Sequence, residues 1–262
     1  MCLTCGCNPH TSHDHEHKEE TGHHHHHHHE HGPIGAVHAH GTDSSRILQV
    51  EEDILAENNH YAAHNRERFK AHKILALNMV SSPGSGKTSL LTHTLTAKHD
   101  KTAVIEGDQF TDRDAERLRK TGAPVIQINT GSGCHLDAHM VGHALEDLDM
   151  ESGKLDGGVV YIENVGNLVC PASFDLGEAA KVVLLSVTEG EDKPIKYSHM
   201  FAASKLMLIT KMDLLPYVPF DIEQCIAFAR EVNPTIEVIK LSVRNNEGVQ
   251  DWFDWIDTMK IA

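Results

Sequence analysis

A chain of 262 residues has room for one large α/β domain with a tail, or for two small domains. Its formal charge of −15 argues against a nucleic-acid binder, because neutralising phosphates needs clustered Lys and Arg. No apolar run approaches the roughly 18 residues that span a bilayer, and the start holds no apolar signal core, so a cytoplasmic chain with no membrane partner is expected.

Residues 1–45 are rich in Cys, His, Gly and Asp and almost devoid of apolar side chains. Such a segment cannot bury enough surface to fold alone and reads as a disordered, metal-binding tail. Cys2, Cys5 and Cys7 place three thiols within six residues. Soft, closely spaced sulfur donors suit Ni²⁺, Zn²⁺ or Cu(I), although a tail with incidental cysteines would look the same. Fourteen of the 23 histidines lie between His10 and His40, including the run His23, His24, His25, His26, His27, His28, His29. The run is embedded among further His, Asp and Glu, which separates it from an expression tag. Imidazoles at this density bind several borderline divalent ions without one fixed geometry.

Residues 46–72 carry Ile47, Val50, Ile54, Leu55 and Tyr61 at helical spacing, which predicts an amphipathic helix docked by that stripe on the domain C-terminal to it. Over residues 73–262, strand and helix signals alternate. Apolar β-type runs fall at Ile74–Val80, Ala103–Ile105, Val125–Ile128, Val159–Ile162, Val182–Val187, Leu206–Ile209 and Val238–Leu241. Helical stretches lie near Ser89–Ala97, Asp112–Lys120, Asp137–Leu148, Ile195–Ala203, Ile222–Val232 and Val249–Met259. The expected fold is α/β, a mostly parallel sheet with helices on both faces, and its ligands belong at the carboxyl ends of the strands.

Ser81-Ser82-Pro83-Gly84-Ser85-Gly86-Lys87-Thr88 follows the first strand and opens a helix. This is a P-loop with Ser81 at the place of the first glycine. Gly84, Ser85, Gly86 and Ser89 would offer backbone N–H groups to phosphates at a helix N-terminus. Lys87 would reach the terminal phosphates, and the Thr88 hydroxyl would ligate Mg²⁺.

Thr210-Lys211-Met212-Asp213 follows the strand Leu206–Ile209 several strand–helix units later, which is the place of a base-recognition motif. The Asp213 carboxylate can accept from both N1–H and the exocyclic amine of guanine, a pair of donors that adenine lacks. Lys211 would lie over the base, and Ser242 closes the last strand where a further base contact belongs. A Lys-x-Asp after a strand is also a common helix start.

Glu163-Asn164-Val165-Gly166 ends the fourth strand. Its carboxylate is placed to hold Mg²⁺ with Thr88, and Gly166 to offer an N–H to a γ-phosphate. Asp108 and Asp114 are further Mg²⁺ candidates, unranked; Asp112 reads as a helix N-cap. No arginine is obviously placed as a finger in cis, so slow intrinsic turnover is expected. Gly133-Cys134-His135, with His139 four residues on, and Cys170-Pro171 occupy loops at the same end of the sheet. Cys134, His135, His139 and Cys170 are therefore candidate ligands of an N/S metal site, shared across a dimer axis since one chain supplies few good donors. Buried structural thiols beside a helix-capping histidine are the plainer alternative.

With these motifs assembled, the chain resembles the hydrogenase nickel-incorporation GTPase family, HypB. The resemblance rests on Cys2–Cys7, the His-rich stretch, the segments from Leu77 to Thr88 and Gly133 to His139, and Glu163-Asn164-Val165-Gly166-Asn167-Leu168-Val169-Cys170-Pro171, and it covers essentially the whole chain. It implies a GTP-dependent homodimer that helps deliver Ni²⁺ to [NiFe]-hydrogenase, with Cys134, His135 and Cys170 holding Ni²⁺ or Zn²⁺ at the dimer interface. It further implies a tighter nickel site at Cys2, Cys5 and Cys7. The implied partners are a nickel chaperone of the HypA type and the hydrogenase large subunit. Two rivals remain: a urease-accessory GTPase, whose metal loop reads Cys-Pro-His, and a nickel storage protein, which would not need Lys87, Thr88, Glu163 and Asp213.

Overall fold

The computed structural model describes residues 41–98 and 100–261. Cys2, Cys5, Cys7 and His23 to His29 lie outside the described residues.

A long helix α1 (Gly41–Ala71) leads into β1 (Leu75–Ser81), α2 (Lys87–Ala97), β2 (Thr102–Asp108), α3 (Arg113–Arg119), β3 (Val125–Asn129), α4 (Ala138–Asp147) and β4 (Val159–Gly166). Then come β5 (Ala180–Ser186), α5 (Lys193–Lys196), α6 (Ser198–Ala203), β6 (Leu206–Thr210), α7 (Ile222–Val232), β7 (Glu237–Lys240) and α8 (Val249–Ile261). The seven strands form one sheet in the order β3-β2-β4-β1-β5-β6-β7, and every pairing is parallel. β1, β5 and β6 are buried throughout, which is why they read as near-continuous apolar runs, broken inside only by Asn78 and Lys181, rather than alternating ones. The expected Ile195–Ala203 helix is two short ones, because the chain leaves helical geometry at Tyr197 (φ −117, ψ 43). Among the described residues no helix is long and apolar enough to cross a membrane.

Helix α1 docks on the domain, but only part of the apolar stripe expected from sequence takes part: Leu55 and Tyr61 are half-buried, the Tyr61 ring 4.6 Å from that of His139 on α4. Val50 and Ile54 are 46% and 40% exposed, whereas Asn58, Ala62, Asn65 and Phe69 are buried. The docking face is cut by hydrogen bonds. The Asn58 amide donates to Asp175 O (2.8 Å) while its Oδ1 accepts from Ala138 N (2.9 Å). Asn65 donates to Ala138 O and Leu176 O at 2.7 and 3.1 Å. Arg66 closes the edge with two bonds to the Asp175 carboxylate. Gly177 (φ +90) allows the close approach, since a Cβ there would stand 2.7 Å from Ala62 O.

Candidate functional site

The sheet places the predicted motifs together at the carboxyl ends of β1, β2 and β4, around a cavity of about 470 Å³. Its walls include Gly84, Ser85, Gly86, Lys87, Thr88 and Ser89 from the P-loop and the start of α2, Asp108 from the end of β2, Asp114 from the first turn of α3, Glu163 and Gly166 from β4, and Lys211. Gly84 (φ +76) and Gly86 (φ +101) hold left-handed backbone, which calls for glycine. Together they form a concave turn capped by the N-terminus of α2, a shape and polarity suited to an anion.

Ser81 takes up a task in place of the missing glycine. Its hydroxyl accepts from Lys87 Nζ at 2.7 Å, fixing the ammonium at the mouth of the loop. Lys87 is buried, and that burial holds its pKa below the usual lysine value against the pull of Glu163. Thr88 Oγ1 donates to Glu163 Oε1 at 2.7 Å. Glu163 is 4% exposed, its Oε2 has no hydrogen-bond partner, and burial pushes its pKa up to about 7 despite Lys87. A threonine hydroxyl beside a buried carboxylate with an unpartnered oxygen fits a hard divalent ion such as Mg²⁺. Asp108 is spoken for within its own loop, accepting from Gln109 N (2.6 Å) and Thr111 Oγ1 (2.8 Å), while Asp114 projects from the first turn of α3. Asp112 stands at the N-cap position of α3 without a side-chain cap bond.

The loop is braced from behind. Thr210, standing where such motifs usually carry Asn, donates to Ser85 O at 2.7 Å, and Lys211 (φ +57) donates to Gly84 O at 2.7 Å. Asp213 Oδ1 accepts from Ser242 Oγ at 2.7 Å. Ser242 is fully buried and therefore orients the Asp213 carboxylate, which gives it a supporting role that sequence position alone did not suggest.

Three further residues escaped the sequence reading. Glu189 accepts from Ser85 Oγ (2.8 Å) and Ser186 N (2.9 Å), clamping the P-loop to the end of β5. Arg117, one helical turn after Asp114 on α3, lines the cavity, so an arginine of the same chain faces the site. Glu106 lines the cavity at 3% exposure, and burial followed by the neighbouring Glu163 pushes its pKa up to about 8. The signal for Glu106 was an acid inside the apolar strand β2, two residues before Asp108 and hence on the same face.

Beside this cavity, Cys134 Sγ lies 2.8 Å from Cys170 Sγ and 3.6 Å from His135 Nδ1. The three ligand atoms fall within 4.8 Å of one another. Both cysteines are buried, and burial lowers the His135 pKa, favouring the neutral, ligating imidazole. His139 does not join them. Asp137 caps α4 by accepting from Met140 N (2.8 Å), which starts the helix so that His139 faces His143, with Nε2 atoms 3.1 Å apart. Cys225 is a core residue of α7 whose thiol burial pushes up to about 12.

The two sites share one stretch of chain. β4 carries a register irregularity against β1, where Met79 pairs with Glu163 but Ser81 with Gly166. From this bulge Asn164 Oδ1 accepts from Leu136 N at 3.1 Å, and Asn167 Nδ2 donates to Cys134 O at 3.3 Å. Gly166 abuts the P-loop, where a Cβ would stand 3.0 Å from Pro83 Cα. Residues 163–170 thus touch phosphate loop and thiol pair at once.

Comparison with known proteins agrees with this geometry. The family described as "CobW/HypB/UreG, nucleotide-binding domain" matches residues 75–240. Hydrogenase maturation factor HypB of Azotobacter vinelandii is 62% identical over 231 residues, covering 87% of this chain and 75% of that relative. The HypB of Escherichia coli K12 is 59% identical, covering 86% and 77%. Among solved structures, HypB from Helicobacter pylori in complex with nickel aligns with a TM-score of 0.74 at 39% identity, over 78% of this chain and 95% of that one. HypB from Archaeoglobus fulgidus aligns at 0.71 and 37% identity, over 78% and 99%.

Proposed function

Since the chain belongs to the CobW/HypB/UreG family, and within it to the hydrogenase maturation factors HypB, we propose that it hydrolyses GTP to GDP and phosphate and uses that cycle to handle nickel for hydrogenase maturation. The observation that carries the proposal is the shared segment 163–170. A γ-phosphate bonded at Gly166 pulls on β4, and Asn164, Asn167 and Cys170 pass that pull to the Cys134–His135 loop. Linkage makes any such coupling reciprocal, with typical sizes of about 1–3 kcal/mol.

Within the cavity, the turn from Gly84 to Ser89 binds the phosphates and Lys87 neutralises the terminal ones. Thr88 and Glu163 are the residues that would hold Mg²⁺, which supplies charge compensation across the β- and γ-phosphates when bound. Asp213, oriented by Ser242, selects guanine. The cargo is Ni²⁺, held by Cys134, His135 and Cys170, a donor set that Zn²⁺ also suits. The Cys2, Cys5, Cys7 and His-rich segment adds a second nickel store. The proposal further includes a homodimer, a cytosolic setting, and handover with a HypA-type chaperone to the hydrogenase large subunit.

Titrating Ni²⁺ into the protein without residues 1–40, once with GDP and once with a non-hydrolysable GTP analogue, tests the coupling. The two curves are expected to differ about 5- to 150-fold and to merge in Cys170→Ala. Superimposable curves for the unsubstituted protein refute the gating role.

A further inference from the structure

Asn164, which holds the metal loop at Leu136 N, is one end of a longer buried polar chain. On β1, Ala76 packs in one apolar cluster and Val80 in another, and Asn78 stands between them on the same face. Asn78, Asn164, Glu178 and Lys181 are all buried, from 0% to 9% exposed. Asn164 Nδ2 donates to Asn78 Oδ1 at 3.2 Å, and Asn78 Nδ2 donates to Glu178 Oε1 at 3.1 Å. Lys181 Nζ sits 2.8 Å from the same Glu178 oxygen. The far end of the chain meets the other thiol-bearing segment. Glu178 Oε2 accepts from Leu176 N at 2.6 Å, six residues beyond Cys170. Lys181 Nζ also donates to Phe174 O at 2.9 Å, and the Phe174 ring lies 4.0 Å from that of His135.

The direction of this chain follows from its inner end. A carboxylate paired with an ammonium only accepts, so Asn78 must turn its Nδ2 toward Glu178 and its Oδ1 toward Asn164. Asn164 then presents Nδ2 to Asn78, and its Oδ1 is left for Leu136 N and for Val165 N at 3.0 Å. Each amide thus has one orientation in which every donor meets an acceptor. Desolvation offsets most of what a buried ion pair gains, so stability alone is a weak reason for Glu178 and Lys181 to lie here. What the pair does impose is geometry, because a donor left facing a donor in the core is costly.

We propose that Glu178 is a positioning residue of the metal site formed by Cys134, His135 and Cys170. Through Asn78 and Asn164 it aims the acceptor that holds the backbone after His135. Through Leu176 N and Lys181 it holds the backbone after Cys170. The spacing of the two thiols is then fixed from inside the core as well as by α1. The inference rests on the reading of Cys134, His135 and Cys170 as the nickel site.

The test moves the carboxylate one step along the chain. The amide introduced by Glu178→Gln accepts at only one end, so either Leu176 N, or Asn78 Nδ2 with Lys181 Nζ, loses its acceptor. Asn78→Asp sets two carboxylates against each other. In the double variant the carboxylate at position 78 accepts from Asn164 Nδ2 and from the amide at position 178, whose oxygen still serves Leu176 N. Full-length protein is used with Cys2, Cys5 and Cys7 changed to serine. Ni²⁺–thiolate charge-transfer absorption then reports Cys134 and Cys170, since histidines give no such band and Cys225 is a core residue. Each single variant should need at least roughly tenfold more Ni²⁺ to half-fill that band, and the double should return to within about threefold of the unsubstituted site. Affinity for fluorescent GDP should stay unchanged throughout. Amide exchange in metal-free protein is the second reading: Leu136 or Leu176 should exchange faster in each single variant, and both should recover in the double. Unchanged nickel affinity in the single variants, losses that add in the double, or GDP affinity falling in step with nickel affinity overturns the proposal. If the single variants do not fold, the double should still fold and bind Ni²⁺, and its failure to do so overturns the proposal equally. A charge-transfer band missing from the unsubstituted site refutes the nickel reading, and amide exchange alone then decides the positioning role.

Discussion

Replacing Asp213 by Asn should convert a guanine site into one that prefers xanthine. One carboxylate oxygen is held by Ser242 Oγ at 2.7 Å, and under the proposed guanine reading the carboxylate accepts from the base. Guanine presents two donors on that edge, and a carboxylate accepts from both. The amide introduced by Asp213→Asn would offer an acceptor to one and a donor to the other, losing one charge-assisted bond of about 1.5–3 kcal/mol. At about 1.4 kcal/mol per decade this is roughly a 10- to 150-fold loss of GDP affinity. Asp213 is only half-buried, so the lower part of the range is expected. Xanthosine diphosphate carries a carbonyl where guanine has its amine, and the amide N–H restores the bond. Ser242→Ala should cost GDP about 0.5–1.5 kcal/mol by freeing the carboxylate, and little more in the Asp213→Asn background. The assay is equilibrium titration of fluorescent GDP and xanthosine diphosphate into the four proteins of that cycle. GDP affinity unchanged in Asp213→Asn would refute the reasoning outright, and additive losses in the double variant would refute the role given to Ser242.

Arg117 supplies a positive charge in the cavity wall, so Arg117→Ala should slow phosphate release from GTP at least roughly tenfold with a much smaller change in GDP affinity; an unaltered turnover would remove it from the reaction. The raised pKa values of Glu106 (about 8) and Glu163 (about 7) mean that the folded, metal-free protein holds these protons more tightly than the unfolded chain does. The stability they contribute is fully present below about pH 4.5 and is lost as pH rises through about 7 to 8. Glu106→Gln should therefore gain melting temperature over the unsubstituted protein progressively between pH 5.5 and 8.5 in chelator, and a gap independent of pH contradicts the assignment. Deleting residues 1–40 should remove most bound nickel equivalents while leaving GTP turnover intact, as measured by equilibrium dialysis and phosphate release; a parallel fall in both would show that the tail is not separable.

The sheet was legible because its strands are buried on both sides. Runs such as Leu206–Ile209 carry no polar residue and Leu75–Val80 only Asn78, and the turns after them carry the phosphate and base motifs. The P-loop was legible for a local reason, since eight consecutive residues hold the whole device. What stayed hidden is spread through space. Arg117 and Glu189 reach the nucleotide cavity or its brace from other turns of chain, and no spacing rule connects them with Lys87. The docking face of α1 was legible only at Leu55 and Tyr61, because a hydrophobic pattern finds apolar stripes, whereas this helix is seated largely through Asn58 and Asn65 bonded to main-chain groups. His139 looked like a ligand by sequence distance, yet the Asp137 cap turns it toward His143 instead.

The seating of α1 also bears on where this protein can be cut. Homology to the nucleotide-binding domain starts at residue 75, and a cut there looks natural on an alignment. Such a fragment would lose the partners of Ala138 N, Ala138 O and Leu176 O, and would bare the side of α4 that Asn58, Ala62 and Asn65 cover. Ala138 opens the helix that follows the Cys134–His135 loop, and Leu176 lies six residues beyond Cys170. The two strands of chain that carry the thiols would thus lose their common splint first, while the phosphate loop, braced from β5 and β6, would keep its shape. A truncation meant to isolate the nucleotide chemistry would then leave a competent phosphate loop beside a loosened metal loop, and a cut that preserves both keeps the turns of α1 that carry Asn58 and Asn65.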